Sequence, residues 1–169
     1  MGNNDRLIEE HIPRLRRYAR ALVGNRSHAD DLVQDTLERA WGKIHLWQQG
    51  SDLRAWLFSV MHNVHMNRIR KDGLVPDLAA LEDDALDMPV RAEQEDGLQV
   101  RDVHTALANL PREQREVLLL VGLEEMRYEE VAQVLEVPLG TVMSRLSRGR
   151  QRLRLIMAGG AVAALRVVK

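Results

Sequence analysis

The sequence contains no cysteine. That excludes a disulfide scaffold, a thiol nucleophile and a thiolate zinc site, and it fits a reducing cytoplasm. No apolar run approaches the roughly 18 residues of a membrane span, so insertion into a bilayer is not expected. The first residues, Met1 to Arg6, lack the apolar core of a signal peptide. Alternation of β-branched residues is absent, which leaves no candidate strands. A basic excess is absent too. The 24 Lys+Arg are matched by 25 Asp+Glu, a net charge of −1, and that total weighs at first against a nucleic-acid partner.

The charge is unevenly placed. Residues 72–102 hold ten acids but only Arg91 and Arg101 as bases, a net of −8, which leaves +7 for the rest of the chain. The same stretch holds Gly73, Pro76, Pro89 and Gly97 and shows no sustained helical period. It reads as an acidic flexible linker over 73–97, because loops that long are uncommon inside one compact domain. The reading is therefore all-α, with two small helical domains at 1–72 and 98–157, and a tail at 158–169 that has no assigned role.

Helical stripes support that class. Leu7, Ile8, Ile12, Leu15, Tyr18, Ala19 and Leu22 share one face, with Pro13 bending or splitting the segment and Gly24-Asn25 ending it. Ser27 with Asp30 resembles a capping box for a second helix with Ala29, Leu32, Val33, Thr36, Leu37, Ala40, Trp41 and Ile44 inward. Ser51 or Asp52 can cap a third helix to about Lys71, with Leu53, Trp56, Leu57, Val60, Met61 and Val64 inward. After the linker come helices over about 98–110, 112–123 and 128–135, a Glu136-Val137-Pro138 turn, and a last helix to about Met157. A short helix, a tight turn and a longer helix outline a helix-turn-helix.

Three groups of residues carry chemistry. The last helix bears Arg145, Arg148, Arg150, Arg152 and Arg154 with no acid, and Thr141, Met143, Ser144 and Ser147 lie near its start. Residues there reach base edges, while arginines further along hold phosphates. The second helix shows Asp30, Asp31, Gln34, Asp35, Glu38 and Arg39 outward. Composition alone favours a solvated acidic face there, which the helix macrodipole stabilises, over a protein-docking face. Trp47, Gln48 and Gln49 precede a third helix carrying Trp56, Phe58, His62, Asn63, His65, Asn67, Arg68, Arg70 and Lys71. Aromatics, amides and bases together suit unpaired nucleotides, although Trp56 lies on the apolar stripe. His62 and His65 have a spacing seen in metal sites, but no third ligand is evident, so no metal and no other cofactor is expected.

The segment Ala29-Asp30-Asp31-Leu32-Val33-Gln34-Asp35-Thr36-Leu37-Glu38-Arg39-Ala40-Trp41 resembles region 2.2 of bacterial sigma factors. Ala55-Trp56-Leu57-Phe58-Ser59-Val60-Met61-His62-Asn63 resembles their region 2.3–2.4. Leu110-Pro111-Arg112-Glu113-Gln114-Arg115-Glu116-Val117, Tyr128-Glu129-Glu130-Val131-Ala132 and Pro138-Leu139-Gly140-Thr141-Val142-Met143-Ser144-Arg145-Leu146 resemble region 4. With only these two regions and a short linker, the layout is that of the extracytoplasmic-function (ECF) group of the sigma-70 family. The segment from Gly50 to Phe58 is also somewhat similar to the general-stress subgroup of alphaproteobacteria.

The resemblance implies a non-enzymatic initiation factor that binds core RNA polymerase through the β′ clamp helices and the β flap, and that recognises promoter DNA. It assigns Asp31, Gln34, Asp35, Glu38 and Arg39 to the polymerase. It assigns Lys43, Trp47, Val60, Asn63, Asn67 and Arg70 to the −10 element, with a flipped base lodged between Trp47, Val60 and Asn63. It assigns Met143, Ser144, Arg145, Ser147, Arg148 and Arg150 to the −35 element. It also implies an anti-sigma factor as a partner, a cytoplasmic location, at the membrane when that partner holds it there, and an acidic linker in the RNA exit path. Two positions depart from the family pattern. Met143 stands where many relatives carry Lys or Arg, and Glu136 stands where Gly is common, at a strain of roughly 1 kcal/mol if the backbone is left-handed. The competing readings are a stand-alone helix-turn-helix regulator of duplex operators and a helical metal-dependent enzyme using His62 and His65.

Overall fold

The computed structural model describes residues 2–72 and 95–167, with side chains over 2–72 and 101–159. Most of the expected linker therefore lies outside the described residues. Eight α-helices run in the order α1 (Asn3–Glu9), α2 (Ile12–Val23), α3 (Arg26–Lys43), α4 (Leu53–Lys71), α5 (Glu95–Ala108), α6 (Arg112–Gly122), α7 (Tyr128–Leu135) and α8 (Leu139–Val167) among the described residues. A 3-10 turn, Ile44–Leu46, follows α3.

Local chemistry sets the boundaries. Pro13 splits the first segment into α1 and α2, because proline is tolerated at the start of a helix and not in its interior. Gly24 then ends α2 in the left-handed conformation, at φ 80°. The Ser27–Asp30 capping box expected for α3 does not form. Asn25 is the cap instead, and its side chain accepts from the His28 N–H at 3.0 Å. Asn25 follows the glycine stop directly, so the helix starts as soon as the chain has turned. Asp52 caps α4 by accepting from the Ala55 N–H at 3.2 Å. The last helix also continues beyond the expected end near Met157, to Val167.

The N-terminal helices bury Ile8, Leu15, Tyr18, Leu22, Leu32, Val33, Leu57, Phe58 and Met61 in one core, with the Tyr18 and Phe58 rings edge to face at 5.0 Å. Trp41 departs from its expected inward place and is 40% exposed. The C-terminal helices bury Leu107, Leu110, Val117, Leu120, Val131, Val134, Val142 and Leu146. Gly149 lets α8 lie close on α6, since a β-carbon there would stand 3.1 Å from Leu118 Cδ1. The two groups of helices also pack on each other, α4 against α7 and α2 against α5 and α6.

The turn between α7 and α8 resolves the question raised by Glu136. Its backbone is left-handed, φ 55° and ψ 47°. The Val137 N–H donates to Ala132 O at 3.1 Å and the Glu136 N–H to Gln133 O at 3.4 Å. This is the paired closure of a Schellman motif, which satisfies the last carbonyls of α7. A β-carbon in that conformation is strained, so Glu136→Gly is expected to raise unfolding stability by up to about 1 kcal/mol. A denaturant titration with an unchanged or lower midpoint would contradict this.

Candidate nucleic-acid interface

Three exposed surfaces can be built from the helices. On α3, Asp31, Gln34, Asp35, Glu38 and Arg39 all face solvent. They recur at helical spacing opposite the buried Leu32, Val33, Thr36 and Leu37. Arg68 of α4 reaches across to Asp35, with Nε 3.1 Å from Oδ2 and Nη2 on the same oxygen. The acidic face is thus already trimmed by one cation, an exposed pairing of small energetic weight.

The second surface joins the end of α3 to α4. Lys43, Asn63, Asn67 and Arg70 are exposed. The last three follow one another along a single face of α4. Trp47 sits beyond the 3-10 turn, half-buried against the core, and its indole Nε1 is buried without a hydrogen-bond partner among the described residues. Gly50, at φ 95°, and the Ser51 hydroxyl donating to Gln48 O at 2.6 Å shape the loop. Val60 does not join this surface. It is only 8% exposed and belongs to the hydrophobic core. The apolar stripe of α4 claims it, as it claims Phe58, while Trp56 packs half-buried against the same core.

The third surface is α8. Met143, Ser144, Ser147, Arg148 and Arg150 are exposed. Arg145 lies on another flank, where it pairs with Glu113 of α6 at 3.7 Å and is 24% exposed. Tyr128, Leu146 and Gln151 join Met143, Ser147, Arg150 and Arg154 around a groove beside the helix. Its floor is apolar and its rim is basic.

The contact between the two groups of helices was not visible in the sequence. Glu116 and Glu124 are buried, yet both carry carboxylates. Arg17 Nη2 lies 3.2 Å from Glu124 Oε1, while Glu124 Oε2 is buried without a hydrogen-bond partner among the described residues. Arg54 donates to Glu124 O at 2.8 Å and to Glu130 Oε2 at 3.4 Å. His62 Nδ1 meets Glu116 Oε1 at 3.2 Å. Arg115 gathers four carbonyls, from Leu107, Ala108 and Leu110 near the end of α5 and from Leu22 of α2. These are the acceptors that helix ends leave unpaired. Burial, followed by the Glu116 and Glu124 charges, raises the Tyr18 phenol well above its ordinary range. No helical periodicity marks these residues, because their partners across the contact lie 54 to 107 residues away.

The histidine pair belongs to this contact. His62 faces Glu116, and no group of three His, Cys, Asp or Glu able to hold a metal occurs among the described residues. His65 is pushed down to about 4, first by burial, with Glu116 opposing and Arg112, His62 and Arg115 adding to the fall. The folded chain therefore keeps this ring neutral where the unfolded chain protonates it. Stability is fully present above pH 6.5, the unfolded value, and is lost as pH falls through about 4. Thermal unfolding should drop more steeply across that window for wild type than for His65→Gln. Equal slopes would remove His65 as the cause.

Comparison with known proteins follows the same division. Residues 8–62 match the family described as "Sigma2 domain of PhyR", and residues 101–153 match "Sigma-70, region 4". The "ECF RNA polymerase sigma factor EcfG" of Rhodopseudomonas palustris (strain TIE-1) is 36% identical over 86% of this chain and 80% of its own length. The "ECF RNA polymerase sigma factor SigE" of Mycolicibacterium smegmatis is 35% identical over 94% of this chain and 63% of its own length. Among solved structures, the sigma factor RpoE in complex with the anti-sigma factor NepR, from Bartonella quintana, superposes with a TM-score of 0.78 at 31% identity, covering 94% of this chain and 98% of that one.

The contact between the helix groups has a direct test. Arg54→Ala removes the bonds to Glu124 O and Glu130, and Arg17→Ala leaves the Glu124 carboxylate buried without its cation. The double variant is expected to keep its helical circular dichroism and to show a larger radius in small-angle scattering. An unchanged radius would show that other contacts hold the two groups together.

Proposed function

The chain belongs to the extracytoplasmic-function group of sigma-70 RNA polymerase sigma factors, and from that premise we propose how its three surfaces divide promoter-directed initiation. The acidic face of α3, built from Asp31, Gln34, Asp35, Glu38 and Arg39, docks on core RNA polymerase. A charged helix face suits a basic coiled-coil surface such as the β′ clamp helices, and complementary charge sets specificity and encounter rate. Region 4, formed by α5 to α8, takes the β flap as its second contact with the polymerase.

The observation that carries this reading is the segregation of charge on exposed helices. The described face of α8, the second helix of the helix-turn-helix, holds arginines without an acid, while α3 presents exposed acids on a separate helix. Ser144, Ser147 and Arg148 of α8 face base edges in the −35 duplex, with Met143 beside them. Arg150 and Arg154 hold phosphates, which fixes register rather than sequence. Arg145 serves α8 through its pairing with Glu113, which steadies the helix on α6. Lys43, Trp47, Asn63, Asn67 and Arg70 hold the non-template strand of the −10 element. Val60 supports that surface from the core instead of touching DNA.

Flipping a base from the stack costs a few kcal/mol, and contacts to the displaced base must offset it. Trp47 supplies a ring beside the strand path, and Asn63 and Asn67 supply paired donors and acceptors. The polymerase performs the chemistry. Sigma factors are initiation factors without catalysis of their own. An anti-sigma factor is the natural regulator, a reading supported by the likeness to RpoE in its complex with NepR. The chain acts in the cytoplasm. Among the described residues no helix is long and apolar enough to cross a membrane. A stand-alone operator-binding regulator is not favoured, because both helix groups match sigma regions.

The test separates the docking face from its local ion pair. Asp35→Lys is expected to weaken binding to core polymerase at least tenfold and to remove promoter-specific transcripts, with helical content intact. Arg68→Ala loses the same ion pair but keeps the acidic face, so its transcription should stay near wild type. Equal loss in both variants would mean that the pair, and not the face, matters. Absence of start-site-specific transcripts from wild type over a range of promoters would defeat the sigma reading itself.

A further inference from the structure

The N-terminal turns of α8 expose two large apolar side chains among polar ones. Leu139 is 41% and Met143 52% exposed, and they lie four residues apart, on the same face of the helix. Single exposed apolar residues are ordinary. Here the pair sits at the end of a recognition helix that reaches base edges, and Met143 lines the groove whose floor is Leu146 and Tyr128 and whose rim carries Arg150 and Arg154. The neighbouring Ser144 hydroxyl donates to Thr141 O at 3.2 Å, so its proton is committed to the helix backbone. At this position the helix offers a base pair an apolar contact in place of a hydrogen-bond donor.

The major groove presents one apolar base substituent, the C5-methyl of thymine. The geometry points to Met143, backed by Leu139, as a specificity residue that selects a thymine in the −35 element by packing against its methyl group. The inference rests on the placement of α8 in the −35 duplex. Phosphate contacts from Arg150 and Arg154 bring the helix to the groove and carry no sequence information. The thioether is flexible and polarizable, so it can follow a methyl group without a fixed rotamer. Lysine or arginine at the same place would instead donate to guanine O6 and N7.

The experiment uses the full chain with core polymerase. Promoters are selected from DNA randomised across the −35 region, and each thymine in the selected element is then replaced singly by deoxyuridine, which removes only the methyl. One thymine is expected whose demethylation weakens wild-type binding about fourfold, the equivalent of one buried methyl group. The same replacement should leave Met143→Ala unaffected, and Met143→Lys should shift the selected base at that position from thymine to guanine. Methyl-insensitive thymines beneath an intact −35 footprint, or equal sensitivity in wild type and Met143→Ala, would overturn this inference alone. Loss of the −35 footprint would overturn the placement of α8 with it.

Discussion

Helix α4 has to satisfy two neighbours and a solvent face at once, and the arrangement of the whole chain follows from how its residues are shared out. Leu57, Phe58, Val60, Met61 and Val64 turn into the N-terminal core. Arg54 and His62 turn toward the C-terminal helices. Asn63, Asn67 and Arg70 remain outside. With 3.6 residues per turn, no position on such a helix can move to another face without dislodging the others. The contact between the two helix groups, of which α4 against α7 is one part, is unusual in its chemistry. The buried Glu116 and Glu124 carboxylates meet the His62 ring of α4 and the Arg17 guanidinium of α2, and the backbone carbonyls of Leu22, Leu123 and Glu124 accept from guanidinium groups. Buried ion pairs add little net stability over apolar packing, yet removal of one partner is expensive. The contact therefore carries the polar character of an interdomain surface alongside its apolar packing.

Much of the fold was legible because helical periodicity is a local signal. The stripes of α2, α3 and α4 name most of the buried residues, and Tyr128–Leu135 holds its expected bounds. Caps were less legible. Ser27 and Asn25 are both good cap residues, and the choice fell to Asn25 because the left-handed Gly24 places it at the turn. Trp41 shows the limit of a stripe, since it stands at the edge of the apolar arc, where a large ring can face either way. Of the candidate site, the exposed polar positions on α3 and α8 could be read from the sequence. Val60 could not be separated from Asn63, because a resemblance transfers positions and not burial. Arg145 likewise reads as one more free arginine until Glu113 is seen beside it. Arg17, Arg54, Glu116 and Glu124 carry no sequence signal, since their partners are set by tertiary packing alone.

The near-neutral total charge also changes meaning once it is placed on surfaces. Acids on α3 and arginines on α8 cancel in the sum while facing solvent separately. At physiological ionic strength fields decay over about 8 Å, so each surface acts on its own surroundings with its own sign. One chain can then approach a basic protein surface through one helix and a phosphate backbone through another. A uniformly basic chain of this size would hold DNA well and would repel a basic docking surface of the kind proposed for the polymerase.

The packed arrangement hides neither proposed DNA surface. Asn63, Asn67 and Arg70 are exposed on α4, and Met143, Ser144, Ser147 and Arg148 are exposed on α8, while α4 and α7 are in contact. Packing constrains something else, namely the distance and angle between the two readers. Two separate promoter elements on one duplex would fix that geometry independently of the protein, and where it differs from the packed one the contact between α4 and α7 has to adapt. Any energy holding the two helix groups together then subtracts from apparent affinity for the promoter, because only the fraction in the competent arrangement binds. Charge-matched groups such as Arg17 with Glu124 and Arg54 with Glu130 suit a contact of that kind, since water can solvate each partner when it opens. A wholly apolar interface would leave a large hydrophobic surface exposed in the open state.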